Sequence, residues 1–252
     1  MKTSMKRNKV ETDTDEFPPA DVDTTALAEV EGGDELVPVS AGSLALGNVE
    51  GSIDAKDLII PRLNIVQRVG PLSSEFKPGD MVLNKEVVLA HEEEPVNLIV
   101  LSIKKYYEEN LPYNPKGPKP VVYQTIKEVA DAGKWVDWRN NVKPPAREVA
   151  STLILIEQPD GIDGMSFSKT IAGKEYAIAM WTLRGSAYTR AAKTIFSKNA
   201  LELSKCGLLG GRWELATSET EMNGNLVHVP VLRLVGKNTP ELIAEIKSAV
   251  QG

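Results

Sequence analysis

The sequence predicts a mainly β fold, a small antiparallel barrel behind an acidic N-terminal arm, and three observations carry that expectation. Apolar runs rich in β-branched residues recur between turn signals from residue 57 to residue 235. A single amphipathic helical pattern, opening at Ser186, stands between the strand-like runs. Charge is divided along the chain: residues 1–55 carry 4 basic and 12 acidic side chains (4 − 12 = −8), and the remainder 25 and 23 (+2). The net charge of −6 is therefore a property of the arm, while the body is slightly cationic.

Residues 1–55 contain one aromatic, Phe17, and their apolar positions (Leu27, Val30, Leu36, Val37, Val39) keep no period. Such a segment buries too little surface to offset its ordering entropy, so a disordered arm is expected, with at most a nascent helix at Thr24–Val30. One domain is expected over 56–252. Asp57–Gln67 reads as an edge or bulged strand, because Pro61 removes a ladder donor. Phe76–Asp80 (FKPGD) is a turn. Met81–Ala90 and Val96–Lys105 follow as a hairpin around the loop HEEEP, the second strand dense enough in apolar residues to be central.

Residues 108–150 are broken by Pro112, Pro115, Pro118, Pro120, Pro144 and Pro145, which marks a Pro-rich insertion with one short helix at Thr125–Ala132. Ser151–Glu157 and Glu175–Leu183 are strands separated by a turn at Pro159–Gly164. Ser186 is the expected N-cap of a helix whose stripe is Tyr188, Ala191, Ala192, Ile195 and Phe196. After the turn Gly207–Gly211 come strands Trp213–Ser218 and Leu226–Val235, joined through Met222–Asn225, where Asn-Gly accepts positive φ. Thr239-Pro240-Glu241 starts a C-terminal helix running to Val250, with an N-cap, Pro at the first position and an acid in the first turn. The order fits an OB-like antiparallel barrel with an inter-strand helix.

Several chemistries find no support. The two histidines, His91 and His228, have no second histidine or cysteine at ligand spacing. Cys206 is the only cysteine, so neither an intramolecular disulfide nor a cysteine zinc site is expected, and a reducing cytoplasm is the expected compartment. There is no GxSxG elbow, and GLLGG (207–211) lacks the Gly-Lys-Ser/Thr of a phosphate loop. Glu92–Glu94 reads as solvated charge. No apolar run approaches the ~20 residues of a membrane helix, and no apolar core follows the charged N-terminus as a signal peptide requires. The expectation is a non-enzymatic binding protein without metal or cofactor.

What remains is a set of cations beside aromatic rings. Lys104, Lys105, Tyr106 and Tyr107 end a strand, and Trp138 and Arg139 follow Trp135 in the insertion. Trp181, Arg184, Arg190, Lys193 and Lys198 run through the strand–helix junction, and Arg212 and Trp213 open the next strand. Rings that stack on unpaired bases, with Lys and Arg on phosphates, are what sequence-tolerant single-strand binding needs. The same rings also suit a core: Tyr176 and Trp181 alternate with apolar neighbours, Tyr188 and Phe196 lie on the helix stripe, and Trp135 and Trp138 suit packing of the insertion.

Two stretches add a resemblance. IIPRLNIVQ (59–67), KPGDMVLNKEVVL and NLIVLSIKKYYEE, with AMWTLRGSAYTRAAKTIF and GRWELATSETEMNGNLVHVPVLRL, resemble bacteriophage single-stranded DNA-binding proteins loosely over residues 57–235. The resemblance implies an OB-like barrel that coats single-stranded DNA in the host cytoplasm during phage replication or recombination. Lys104, Lys105, Arg184, Arg190, Lys193 and Lys198 would then hold phosphates. Trp138, Trp181 or Trp213, with Tyr106 or Tyr107, would stack bases. The acidic arm would mimic a nucleic-acid backbone or recruit replication and recombination proteins, and homo-oligomers are compatible with either role. Two features depart from the family: the acids are at the front of the chain, and the body's +2 is modest. The rival expectations are a phage structural or assembly protein, and an inhibitor of a host nucleic-acid enzyme.

Overall fold

The computed structural model describes residues 60–112, 117–162, 164, 166–222 and 224–251, so the expected arm lies outside the described residues. Its body is mainly β. Strands β4 (Val96–Glu109), β6 (Ala146–Glu157), β8 (Lys174–Arg184), β9 (Gly211–Met222) and β10 (Asn225–Lys237) form a curled antiparallel sheet. The short strands β5 (Val122–Tyr123) and β7 (Phe167–Ile171) flank β4 and β8. The spatial order is β10-β9-β4-β6-β8-β7. Counted along the chain, the five long strands stand fifth, fourth, first, second, third, with a helix between third and fourth. That is the order of an OB-fold barrel, open between its third and fifth strands.

A second sheet fills the opening. It holds β1 (Leu63–Ile65), β2 (Met81–Leu83) and β3 (Val87–Ala90). On one side Arg62 bridges Met180 of β8 in parallel, and Met180 N–H donates to the Pro61 carbonyl at 2.8 Å. On the other side the Gln67 amide engages both backbone groups of His228 in β10. Between β8 and β9 the chain forms α2 (Gly185–Ala187), a π-helical turn (Tyr188–Ala192) and α3 (Lys193–Leu201). This continuous helix drives Tyr188, Ala191, Ala192 and Ile195 into the inner core beside Leu98, Ile154, Trp181, Leu183, Trp213 and Leu215.

One irregularity decides which residues face outward. Val96, Leu98 and Val100 of β4 point into the inner core, and simple alternation would send residues 102, 104 and 106 after them. A β-bulge lies between Val100 and Ser102, where Leu101 has no partner on β6. One extra residue exchanges the faces beyond it. Ile103 therefore packs inward. Lys104 sits opposite Ser151, Tyr106 opposite Val149 and Glu108 opposite Arg147, all on the outer face. Helix α4 (Pro240–Gln251) covers part of that face, packing Leu242, Ile246, Ala249 and Val250 on Ile99, Leu155, Ile171 and Tyr176. The rest, around Ser102, Lys104, Ser151 and Thr182, is outside that apolar cluster.

Several expectations change. Met81–Ala90 is two strands, paired with each other through a turn in which Asn84 and Lys85 have φ of 53° and 61°. The hairpin partner of Val96–Lys105 is therefore β6, with β9 alongside, rather than the strand before HEEEP. Strands β4 and β6 extend to Glu109 and back to Ala146, which shortens the insertion to 110–145. Ser186 is not the N-cap: the helix begins at Gly185 behind Arg184. The turn at Phe76–Asp80 and the α4 start stand as expected, the latter with Leu242 N–H on Thr239 Oγ1 at 3.3 Å, and Met222 pairs with Asn225 where the β9–β10 hairpin was expected. Helix α1 (Ile126–Asp131) also forms, capped by Thr125 Oγ1 accepting from Glu128 N–H. No helix among the described residues is long and apolar enough to cross a membrane.

Candidate nucleic-acid interface

Bases can stack only on rings that reach the surface. Trp213 is 0% exposed and Trp181 3%, both within the inner core, and Tyr106 is 5% exposed. Their assignment as stacking rings is corrected: the two tryptophans are packed in the apolar core and Tyr106 is buried beside Glu108 and the arginines, so none offers a face to a ligand. Tyr107 is half-buried and packs with Tyr123, Val129, Val136 and Ala146, the small core that holds the insertion to the long strands. Trp138, at 39%, is the one exposed ring among the described residues. It precedes a tight turn at Asn140–Asn141, both at positive φ, closed by Arg139 pairing with Val142.

The cations divide into two groups. Lys105 points to the inner side, where it bonds Glu148 and lies over the rings of Tyr107 (5.2 Å) and Tyr188 (5.9 Å). Burial works against its charge, but the bonds to Glu148 and Tyr188 outweigh burial and hold its pKa above the ordinary lysine value. Lys105 is thus engaged within the fold. Lys198 pairs with Glu202 one turn on, at 2.5 Å. Arg139 stacks on Trp135, 5.0 Å from its ring centre. Arg190 and Lys193 are exposed on the inter-strand helix, which fills the inner side of the sheet, and Arg212 is exposed at the start of β9 beside Gly236. None of these joins the outer face of β6 and β8.

Lys104 and Arg184 do, together with two residues that sequence reading missed, Arg62 and Arg147. Glu108 is their anchor. Its side chain is 4% exposed and accepts from Arg147 Nε at 2.8 Å and from Arg184 Nε at 2.7 Å and Nη2 at 3.3 Å. The buried carboxylate is satisfied by charge-assisted bonds, and it fixes both guanidiniums above the strands. Two cations to one anion leave the trio at +1. The neighbouring Tyr106 phenol senses the same charges. Burial raises its pKa and Glu108 adds to the rise, while Arg184, Arg147 and Arg62 oppose it.

Register places these groups on successive rows of the outer face. Ser102 lies across from Leu153, Met180 and Arg62; Lys104 from Ser151 and Thr182; Tyr106 from Val149 and Arg184; Glu108 from Arg147 and Val122. Each row supplies one cation, and alternate residues on a strand are about 6.8 Å apart, so four rows span about 20 Å. Lys104 and Arg62 form no ion pair among the described residues. Hydroxyls of Ser102, Ser151 and Thr182 lie between the flanking cations.

No family model, curated protein or solved structure matches this chain. The site therefore rests on its own geometry. Arg147 was missed because it falls at the edge of a Pro-broken segment read as loop, and Arg62 because it follows Pro61 in an interrupted strand. The available signal was alternation: Arg147, Val149 and Ser151 share a parity, as do Arg184 and Thr182.

Proposed function

We propose that this protein binds single-stranded nucleic acid, single-stranded DNA foremost, as a coating protein of phage-type replication or recombination. The observation that carries the reading is the convergence of Arg62, Lys104, Arg147 and Arg184 on one outer face, with Lys104 on β4 and Arg62 beside β8 flanking the arginines of β6 and β8. These are the second and third strands of the OB order, whose face binds oligonucleotides in that fold. Preset guanidiniums favour phosphate, because the fork is held before the ligand arrives. The acidic arm, at −8, competes for the same cations and lowers weak non-specific binding. Titration of a labelled oligonucleotide at two salt concentrations tests the reading, since counterion release makes affinity fall steeply with salt. No binding at low salt sinks it.

An assembly protein is the second reading, and one observation favours it. Of nine large apolar side chains exposed among the described residues, Val121, Val122, Ile126, Trp138 and Val142 belong to the insertion. That concentration suits protein contacts. This reading expects concentration-dependent self-association, followed by light scattering, with no salt-dependent affinity for DNA.

A further inference from the structure

On that proposed function rests one deeper inference. We propose that the strip on β4, β6 and β8 takes the sugar–phosphate backbone of a single strand and leaves its bases unread, facing solvent. The residues point to this ligand chemistry. The strip offers Arg62, Lys104, Arg147 and Arg184 with Ser102, Ser151 and Thr182, the side-chain types that contact phosphate and sugar. Its one ring, Tyr106, is buried beneath them, and Trp181, across β6 on the opposite face, is sealed in the core. Arginine and lysine can read a guanine edge as well as a phosphate, but Arg147 and Arg184 are held on Glu108, and no ring on these rows is exposed to stack a base.

The layout also favours a flexible strand over a duplex. Three of the cations stand on different strands, β4, β6 and β8, and Arg62 bridges to β8 from the segment beside it, at the flank opposite Lys104. Adjacent strands are about 4.8 Å apart, so the flanks are about 14 Å apart across three strand spacings. A chain that touches all of them must bend from row to row. A single strand does so readily, whereas a duplex with a persistence length of about 50 nm resists it.

The test compares a labelled oligothymidylate with an oligomer of equal length that keeps the deoxyribose-phosphate chain but lacks every base, using the full chain at low salt. Both are expected to bind within about threefold of each other, because stacking at about 1–3 kcal/mol per base is absent from the strip. Trp138→Ala should leave both affinities unchanged. A tenfold or greater loss on removing the bases, or a loss confined to the normal oligomer in the Trp138→Ala protein, overturns base-independent binding while the single-strand reading survives. If neither oligomer binds, both fall together.

Discussion

Glu108 of β4 and Arg184 of β8 meet across the intervening strand β6, the carboxylate taking both Nε and Nη2 of the guanidinium. Arg147 of β6 completes the trio from between them. The carboxylate is buried and the arginines are 16% and 30% exposed. Glu108→Gln therefore strands two partly desolvated cations. Full burial would cost 3–5 kcal/mol, and partial exposure reduces the expected loss to about 2 kcal/mol. Urea unfolding checks it. In the molecules that stay folded, the face gains a unit of positive charge and oligonucleotide affinity at low salt should rise; an unchanged affinity would remove Glu108 from the site.

The closure of the barrel rests partly on Gln67. Its Nε2 donates to the His228 carbonyl at 2.8 Å and its Oε1 accepts His228 N–H at 3.0 Å, which imitates a strand pair where β1 and β10 form no ladder. Gln67→Ala removes both bonds and should lower stability by about 2 kcal/mol, at about 1 kcal/mol for each. The change would be read as a fall in the urea midpoint with an unchanged slope.

Tyr176 gives an alkaline signature. Burial first, and then the charges of Glu157 and Glu245, push its phenol up to about 12 from an ordinary 10. The folded state therefore holds this proton more tightly than the unfolded chain does. Its contribution is complete below about pH 10 and is lost as pH rises through 12. Stability measured from pH 9 to 12 should fall less steeply in Tyr176→Phe than in the parent. Parallel curves would mean that the phenol is not shielded.

Arg190 and Lys193 separate the outer strip from charge in general. Both are exposed, but they lie on the helix that plugs the inner side. Replacing both with Ala should leave oligonucleotide affinity within about twofold, the residual effect being long-range and screened beyond about 10 Å at 0.1 M salt. A loss equal to that from Lys104→Ala would move the interface to the helix.

Much of the architecture was legible because local chemistry and fold agree. Thr239-Pro240-Glu241 starts α4, Met222 and Asn225 pair where β9 gives way to β10, and the stripe from Tyr188 to Ile195 is the buried side of the inter-strand helix. The turn between β2 and β3 was not legible, since Lys85 at φ 61° gives no left-handed signal of the kind glycine gives. Strand β7, FSKTI, is too short and polar to stand out. For the site, sequence found cations and rings but not their faces. The bulge at Leu101 turns Lys104 out and Lys105 in, and one unpaired residue leaves no trace in a pattern of apolar spacing. Trp181 and Trp213 looked like ligand rings because of the arginines next to them in sequence, yet neighbours along a strand point to opposite faces.

The most direct measurement is the slope of log affinity for an oligothymidylate against log salt, in the parent and in Arg62→Ala/Lys104→Ala. Each phosphate neutralised on a single strand contributes about 0.7 to the slope, so losing two contacts should flatten it by about 1.4. A parent slope near zero, or a steep slope that survives both substitutions, contradicts a phosphate-binding strip on the outer face.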